Sequence, residues 1–168
     1  MEREGYILKQ RKESLDTLNK IRKRRLKLGD IYEIQLPNGK NAYGRLFKEC
    51  TLAIYDIQCD DVSELPENER YQCYVAVYKD LLQDGEWKIV GNREFVSEDD
   101  AWAPPKCVID GITKIGSLYY KGIITSCSYD ECKDLEVAAV WDRHHLIDRL
   151  MGIDIWEKSL GKPINPNG

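Results

Sequence analysis

Gly29-Asp30-Ile31-Tyr32-Glu33-Ile34-Gln35-Leu36-Pro37-Asn38-Gly39-Lys40-Asn41-Ala42-Tyr43-Gly44-Arg45-Leu46-Phe47 decides the fold class. Residues 30–36 alternate roughly at period two, as a half-buried strand does. Pro37-Asn38-Gly39-Lys40 is a hairpin turn, because Asn and Gly both tolerate φ > 0. Residues 41–47 then form the return strand. Gly44 inside it predicts a bulge, or a large neighbouring side chain over bare backbone. Leu52-Ala53-Ile54-Tyr55-Asp56-Ile57 supplies a third strand and completes a meander.

Working outward, Asp60 to Arg70 is acidic, contains Pro66 and reads as a loop with one helical turn. Residues 72–78 and 86–91 are β-rich runs separated by an Asp84-Gly85 turn, and helix remains open for the first of them. Pro104-Pro105 forbids regular helix. Beyond it, residues 107–109 and 118–125 are strand candidates. Asp142 is placed to cap a helix from His144 to Met151, with Ile147, Leu150 and Met151 on one face and Gly152 as its stop. Towards the N-terminus, Leu8, Leu15, Leu18 and Ile21 give residues 2–28 a thin helical stripe. The expectation is an α+β domain with a mostly antiparallel, curved sheet, an N-terminal helix and a short C-terminal helix. Its parts are a basic helix over 1–28, one β-rich domain over 29–160 and a flexible tail over 161–168.

The chain has 168 residues, 42% hydrophobic and 32% charged, which suits one domain with a real core. No apolar run approaches the ~20 residues of a membrane helix. The first residues lack the apolar centre of a secretory signal, so the expectation is a cytoplasmic protein. The net charge of −4 hides an asymmetry: residues 1–28 carry ten Lys/Arg against four Asp/Glu, leaving fifteen against twenty-five for the rest. An acidic body argues against nucleic acid as the partner of the main domain and favours a basic protein. The block Arg22-Lys23-Arg24-Arg25 keeps a small nucleic-acid-binding regulator as the alternative.

Catalytic signals are thin. His144 and His145 are the only histidines, and adjacent helical residues diverge by about 100°. Cys127 and Cys132 with one histidine still leave a zinc site one ligand short. Cys107 or Cys127 against His144 forms a conceivable nucleophilic pair, without any family signature around it. Neither a phosphate-binding glycine motif nor a nucleophile elbow occurs. The expectation is no enzyme, no metal and no cofactor, with the six cysteines as reduced, buried thiols. Two acidic groups stand out as docking candidates for basic side chains: Asp60, Asp61, Glu64, Glu67 and Glu69 in one loop, and Glu98, Asp99 and Asp100 in a second turn. Ten tyrosines and four tryptophans beside two phenylalanines favour rings with a polar tip, as protein interfaces do. Tyr32, Tyr43, Tyr55, Tyr74 and Tyr78, on predicted strands, pack in or rim the core.

Residues 28–46 resemble the opening of the immunity protein 26 family, which pairs a G-D-I-[YF]-E-I strand with a P-[ND]-G-K turn and an A-Y-G-R strand. Trp87-Lys88-Ile89-Val90-Gly91 is similar to its W-x-I-[IV]-G segment, and Pro104-Pro105 to its later proline pair. Val140-Trp141-Asp142 with Asp148-Arg149-Leu150 resembles its closing W…[ED]-R-L helix. The resemblance implies a bacterial cytoplasmic inhibitor of a polymorphic or contact-dependent growth inhibition toxin, often a nuclease, that binds the toxin's C-terminal domain. It also implies structural roles for the motif residues, Gly44 at a bulge and Trp87 and Trp141 in the core.

Overall fold

The computed structural model describes residues 23–168. The meander lies at the centre of a six-stranded sheet ordered β5-β1-β2-β3-β4-β9. Its strands are β1 (Asp30–Gln35), β2 (Asn41–Leu46), β3 (Thr51–Tyr55), β4 (Tyr71–Val77), β5 (Lys88–Asn92) and β9 (Val140–Trp141). All pairings are antiparallel except β4 with β9, which run parallel. A separate antiparallel sheet joins β6 (Lys106–Ile109), β7 (Gly116–Tyr120) and β8 (Ile123–Ser126). Among the described residues there are four short α-helices, α1 (Lys79–Gln83), α2 (Tyr129–Cys132), α3 (Arg143–Leu150) and α4 (Ile155–Leu160), and two 3₁₀ turns, Val62–Glu64 and Asp99–Ala101.

The β1–β2 turn differs from the two-residue turn expected. Gly39 N–H donates to the Leu36 carbonyl at 3.0 Å, and Leu36 N–H donates to the Lys40 carbonyl at 2.9 Å. Only Gly39 has positive φ, at 81°. Pro37 holds its own φ negative, which selects a three-residue loop closed by a left-handed glycine. Gly44 is not at a bulge. A Cβ there would lie 3.1 Å from the Ile54 side chain and 3.3 Å from that of Leu52, so bare backbone lets β3 pack close. Register instead shifts opposite Ile31/Tyr32 and Ile54/Tyr55, and such irregularities increase local twist.

Both faces of the meander are covered, which is why β3 is buried at every position. One face carries Tyr32, Ile34, Leu46, Leu52, Ile54, Val75 and Val77 into the main core, with Trp87, Trp141, Leu146 and Leu150. Trp87 and Trp141 are therefore core residues, as expected. The other face carries Ile31, Tyr43 and Tyr55 into a smaller cluster closed by Cys59 and Leu65 from the acidic loop. Tyr78, by contrast, is 52% exposed.

Three further expectations need correction or restriction. Residues 23–28 form no helix: they run irregularly into a turn before β1, and the rest of the expected N-terminal helix lies outside the described residues. The cysteines are not all thiols. Cys107 and Cys132 form a disulfide, with Cα atoms 5.4 Å apart, while Cys50, Cys59, Cys73 and Cys127 are free. The two joined sulfurs fit because Gly116 lies beneath them, where a Cβ would meet the Cys132 sulfur at 2.6 Å and the Cys107 sulfur at 2.9 Å. Finally, α3 follows Asp142, but the Asp142 side chain makes no capping hydrogen bond. Near the chain's end Pro163 is buried, and Ile164 N–H donates to the Lys114 carbonyl at 3.0 Å.

Candidate protein-binding surface

The second face of the large sheet is where charge and aromatic rings converge. Arg45, on β2, is 7% exposed and turns its guanidinium towards the irregular segment following β5. Its Nε and Nη2 donate to the Arg93 carbonyl at 3.0 and 2.7 Å, Nη2 also to the Glu94 carbonyl at 3.1 Å, and Nη1 to the Tyr71 hydroxyl at 3.2 Å. Arg93 donates to Glu69 at 2.7 Å and to the Pro66 carbonyl at 2.8 Å, and the Tyr71 hydroxyl donates to Glu69 at 2.5 Å. Burial opposes ionisation of Glu69, but the hydrogen bonds from Tyr71 and Arg93 outweigh it and hold the carboxyl below its ordinary range. This network ties the acidic loop to the sheet.

Above the network lies an open groove of about 450 Å³. Phe47, Tyr74, Phe95, Val96, Trp102 and Pro104 line it, together with Arg45, Arg93, Glu69, Glu94 and Asp100. Phe95 stacks edge-on to Phe47 at 4.7 Å between centroids, and the Arg45 guanidinium lies 3.9 Å from the Phe95 centroid. Val96 is fully exposed. An apolar floor with a charged margin is the anatomy of a recognition surface.

The acidic residues singled out in the sequence divide into four groups. Asp61 and Glu64 form a capping box around one 3₁₀ turn, Asp61 accepting from Ser63 N–H at 2.8 Å and Glu64 from Asp61 N–H at 3.0 Å. The hydrogen bonds from Ser63 keep the Asp61 carboxyl below its usual value. Glu69, Glu98 and Asp99 are engaged by cations: Glu69 by Arg93, Glu98 by Lys48, and Asp99 by Lys121 at 2.8 Å. The hydrogen bond from its lysine lowers the pKa of Glu98 and of Asp99. Asp100 accepts from Ser97 N–H and hydroxyl at 3.0 and 2.8 Å. Asp60 and Glu67 are exposed, with no side-chain partner among the described residues. The fold thus brings Glu69 and Asp100 to one groove and leaves Asp60, Asp61, Glu64 and Glu67 as exposed acids on the adjoining loop.

Sequence reasoning missed the groove's apolar part. Phe95 and Val96 form an isolated pair between Glu94 and Ser97, with no periodic pattern around them to mark their role. In the basic block, Lys23 pairs with Asp80 at 3.4 Å and the Arg24 carbonyl accepts from Gln83 at 2.7 Å, so its described part lies along the acidic body. The histidines stack rather than converge on a reacting atom: His145 lies 3.7 Å from Trp156 and 3.9 Å from His144, between ring centroids. The disulfide removes Cys107 as a thiolate for His144, and Cys132 as a zinc ligand beside Cys127. No helix among the described residues is long and apolar enough to cross a membrane.

Compared with known proteins, residues 27–117 match the family model described as Immunity protein 26. That stretch covers more than half of the chain and runs from the residues before β1 into β7. No curated protein and no solved structure matches.

Proposed function

The chain belongs to the immunity protein 26 family, and from that premise we propose that it is a non-enzymatic cytoplasmic inhibitor that binds the C-terminal domain of a cognate toxin. The family match carries this reading, because it spans the meander and the groove built on it. Inhibition here is occlusion: the groove's aromatic floor covers part of the toxin, while exposed carboxylates engage its basic side chains.

Asp60, Asp61, Glu64 and Glu67 are the proposed charged contacts, with Glu69 and Asp100 in the lining of the groove. Glu98 and Asp99 contribute through their lysine pairs, which a basic partner would compete for. A nuclease is the toxin class that the charge favours. Its active cleft is positive because it binds phosphates, and residues 29–168 carry ten more acids than bases.

The test is co-expression with the C-terminal domain of the toxin encoded beside this chain. Growth rescue with a stable complex in native mass spectrometry is the expected result. Persistent killing by that domain, with no complex, overturns the proposal. Charge reversal of Asp60 and Glu67 together should slow association and alter neither folding nor stability, since these side chains are exposed and have no side-chain partner among the described residues.

A further inference from the structure

A second groove, of about 420 Å³, separates the small sheet from the β4–β9 edge of the large one. Lys106, Tyr119 and Ile124 are direct cross-strand neighbours on its small-sheet wall. Ala76 of β4 and Val140 of β9 form the opposite wall. Ile124 is 60% exposed and Val140 52%, so the walls leave substantial apolar surface in water.

Lys106 is out of place in such a groove. Its stem is covered, at 7% exposed for the whole residue, and its ammonium, which makes no hydrogen bond or ion pair among the described residues, reaches the groove rather than lying fully buried. Of the carboxylates whose charge it feels, Glu136 receives both Nη1 and Nη2 of Arg149, at 2.5 and 2.9 Å, while Glu49, exposed and lining the same groove, accepts from the Tyr119 hydroxyl at 2.7 Å. Burial pushes the Lys106 ammonium below the ordinary lysine value, and Glu136 and Glu49 offset that only in part. Lysine is almost never covered to this extent unless paired, and a partner that sealed the groove would strip the remaining water from the ammonium. An anion supplied from outside would offset that loss.

We propose that this groove receives an extended segment of the toxin domain, in which a carboxylate flanked by apolar side chains pairs with Lys106. The inference rests on the toxin-binding reading above. It adds a contact of opposite sign to the acidic loop. The loop attracts basic surface at long range, whereas Lys106 acts only at contact, within an acidic body, and so selects one partner segment and its register. The apolar walls argue for a polypeptide segment over a small anion, since Ile124 and Val140 need apolar cover that an inorganic ion does not give.

The experiment uses the toxin domain identified by growth rescue and the full-length chain. Lys106→Met should raise Kd about 30-fold or more, as truncating one partner of a buried charge pair does. The free variant should melt no lower than the parent, because an apolar side chain replaces a largely covered ammonium that has no ion-pair partner among the described residues. Carbodiimide coupling of the parent complex should join Lys106 to a toxin Asp or Glu side chain, the amide forming as the reagent takes up the water released. Ile124→Glu, on the exposed wall, should also weaken the complex while leaving the fold intact, and it keeps the groove testable if Lys106→Met fails to fold. An intact complex with unchanged Kd for both variants and no Lys106 cross-link overturns the groove proposal alone. Absence of both rescue and complex overturns the toxin-binding reading beneath it. Binding of free phosphate or acetate to the parent, lost in Lys106→Met, without a toxin cross-link would make the site one for small anions and also overturn the proposal.

Discussion

The two sheets are held together by different physics. In the large sheet, β2 and β3 are buried on both faces, and the rings and branched side chains between them supply the cohesion. In the small sheet, β8 is exposed at all four positions. That module is anchored elsewhere: by the Cys107–Cys132 bond, and by Cys107, whose N–H donates to the Glu136 carbonyl and whose carbonyl accepts from Ala138 N–H, both at 2.8 Å. The comparison teaches that this protein separates a rigid base from an appended module. The base carries the aromatic groove, and the module presents the wall of the second groove.

The contrast can be broken most sharply in the base. Ile54→Ala, at a position with no exposure, should cost about 3–4 kcal/mol and lower the melting temperature of the whole chain by roughly 10 °C. Calorimetry should show one transition shifting as a unit.

Replacing Cys107 and Cys132 together by Ala should cost about 3 kcal/mol through loop-closure entropy, given their separation of 25 residues. The loss should be felt most near the bond: hydrogen exchange should accelerate more in β7, β8 and α2 than in β1 to β4, whose amides lose protection only by the change in global stability.

Glu69→Gln addresses the tie between the acidic loop and the base, and should cost about 1–3 kcal/mol by weakening the acceptor of Arg93 and Tyr71. The pH dependence sharpens the test. Because Glu69 ionises below its ordinary value of ~4.3 in the native state, the unfolded chain binds more protons in that window. Its stabilisation is therefore complete above the unfolded value and is lost as pH falls through the native one. Urea titrations should show a shallower acid limb for Glu69→Gln than for the parent.

The smallest change is expected on β8. Ile124→Thr should alter stability by no more than about 0.5 kcal/mol, since the side chain is already 60% exposed. A larger loss in a urea titration would mean that the small sheet contributes to the core after all.

How far the sequence spoke depended on how local the physics was. The strands of the meander follow from alternation and from the Pro37–Lys40 turn, and the structure keeps them. Trp87 and Trp141 were legible as core residues. The Lys121-Gly122 turn was not, and it divides the single run over 118–125 into β7 and β8. The candidate site was half legible. The carboxylates stand out in composition, but their lysine, arginine and serine partners do not. Lys48 reaches Glu98 across 50 residues, and Lys121 reaches Asp99 across 22.

By itself, the sequence determined the antiparallel meander, the α+β class, the acidic body and the family. Each is written in neighbouring residues, where period-two alternation, turn chemistry and charge act over a few positions. Only the tertiary structure decided the parallel β4–β9 pair, the Cys107–Cys132 bond, the sharing of one groove by Glu69 and Asp100, and the isolation of Lys106. Those depend on segments far apart in the chain being packed together. Burial then assigns each charge a partner or leaves it without one, and no local pattern encodes that outcome.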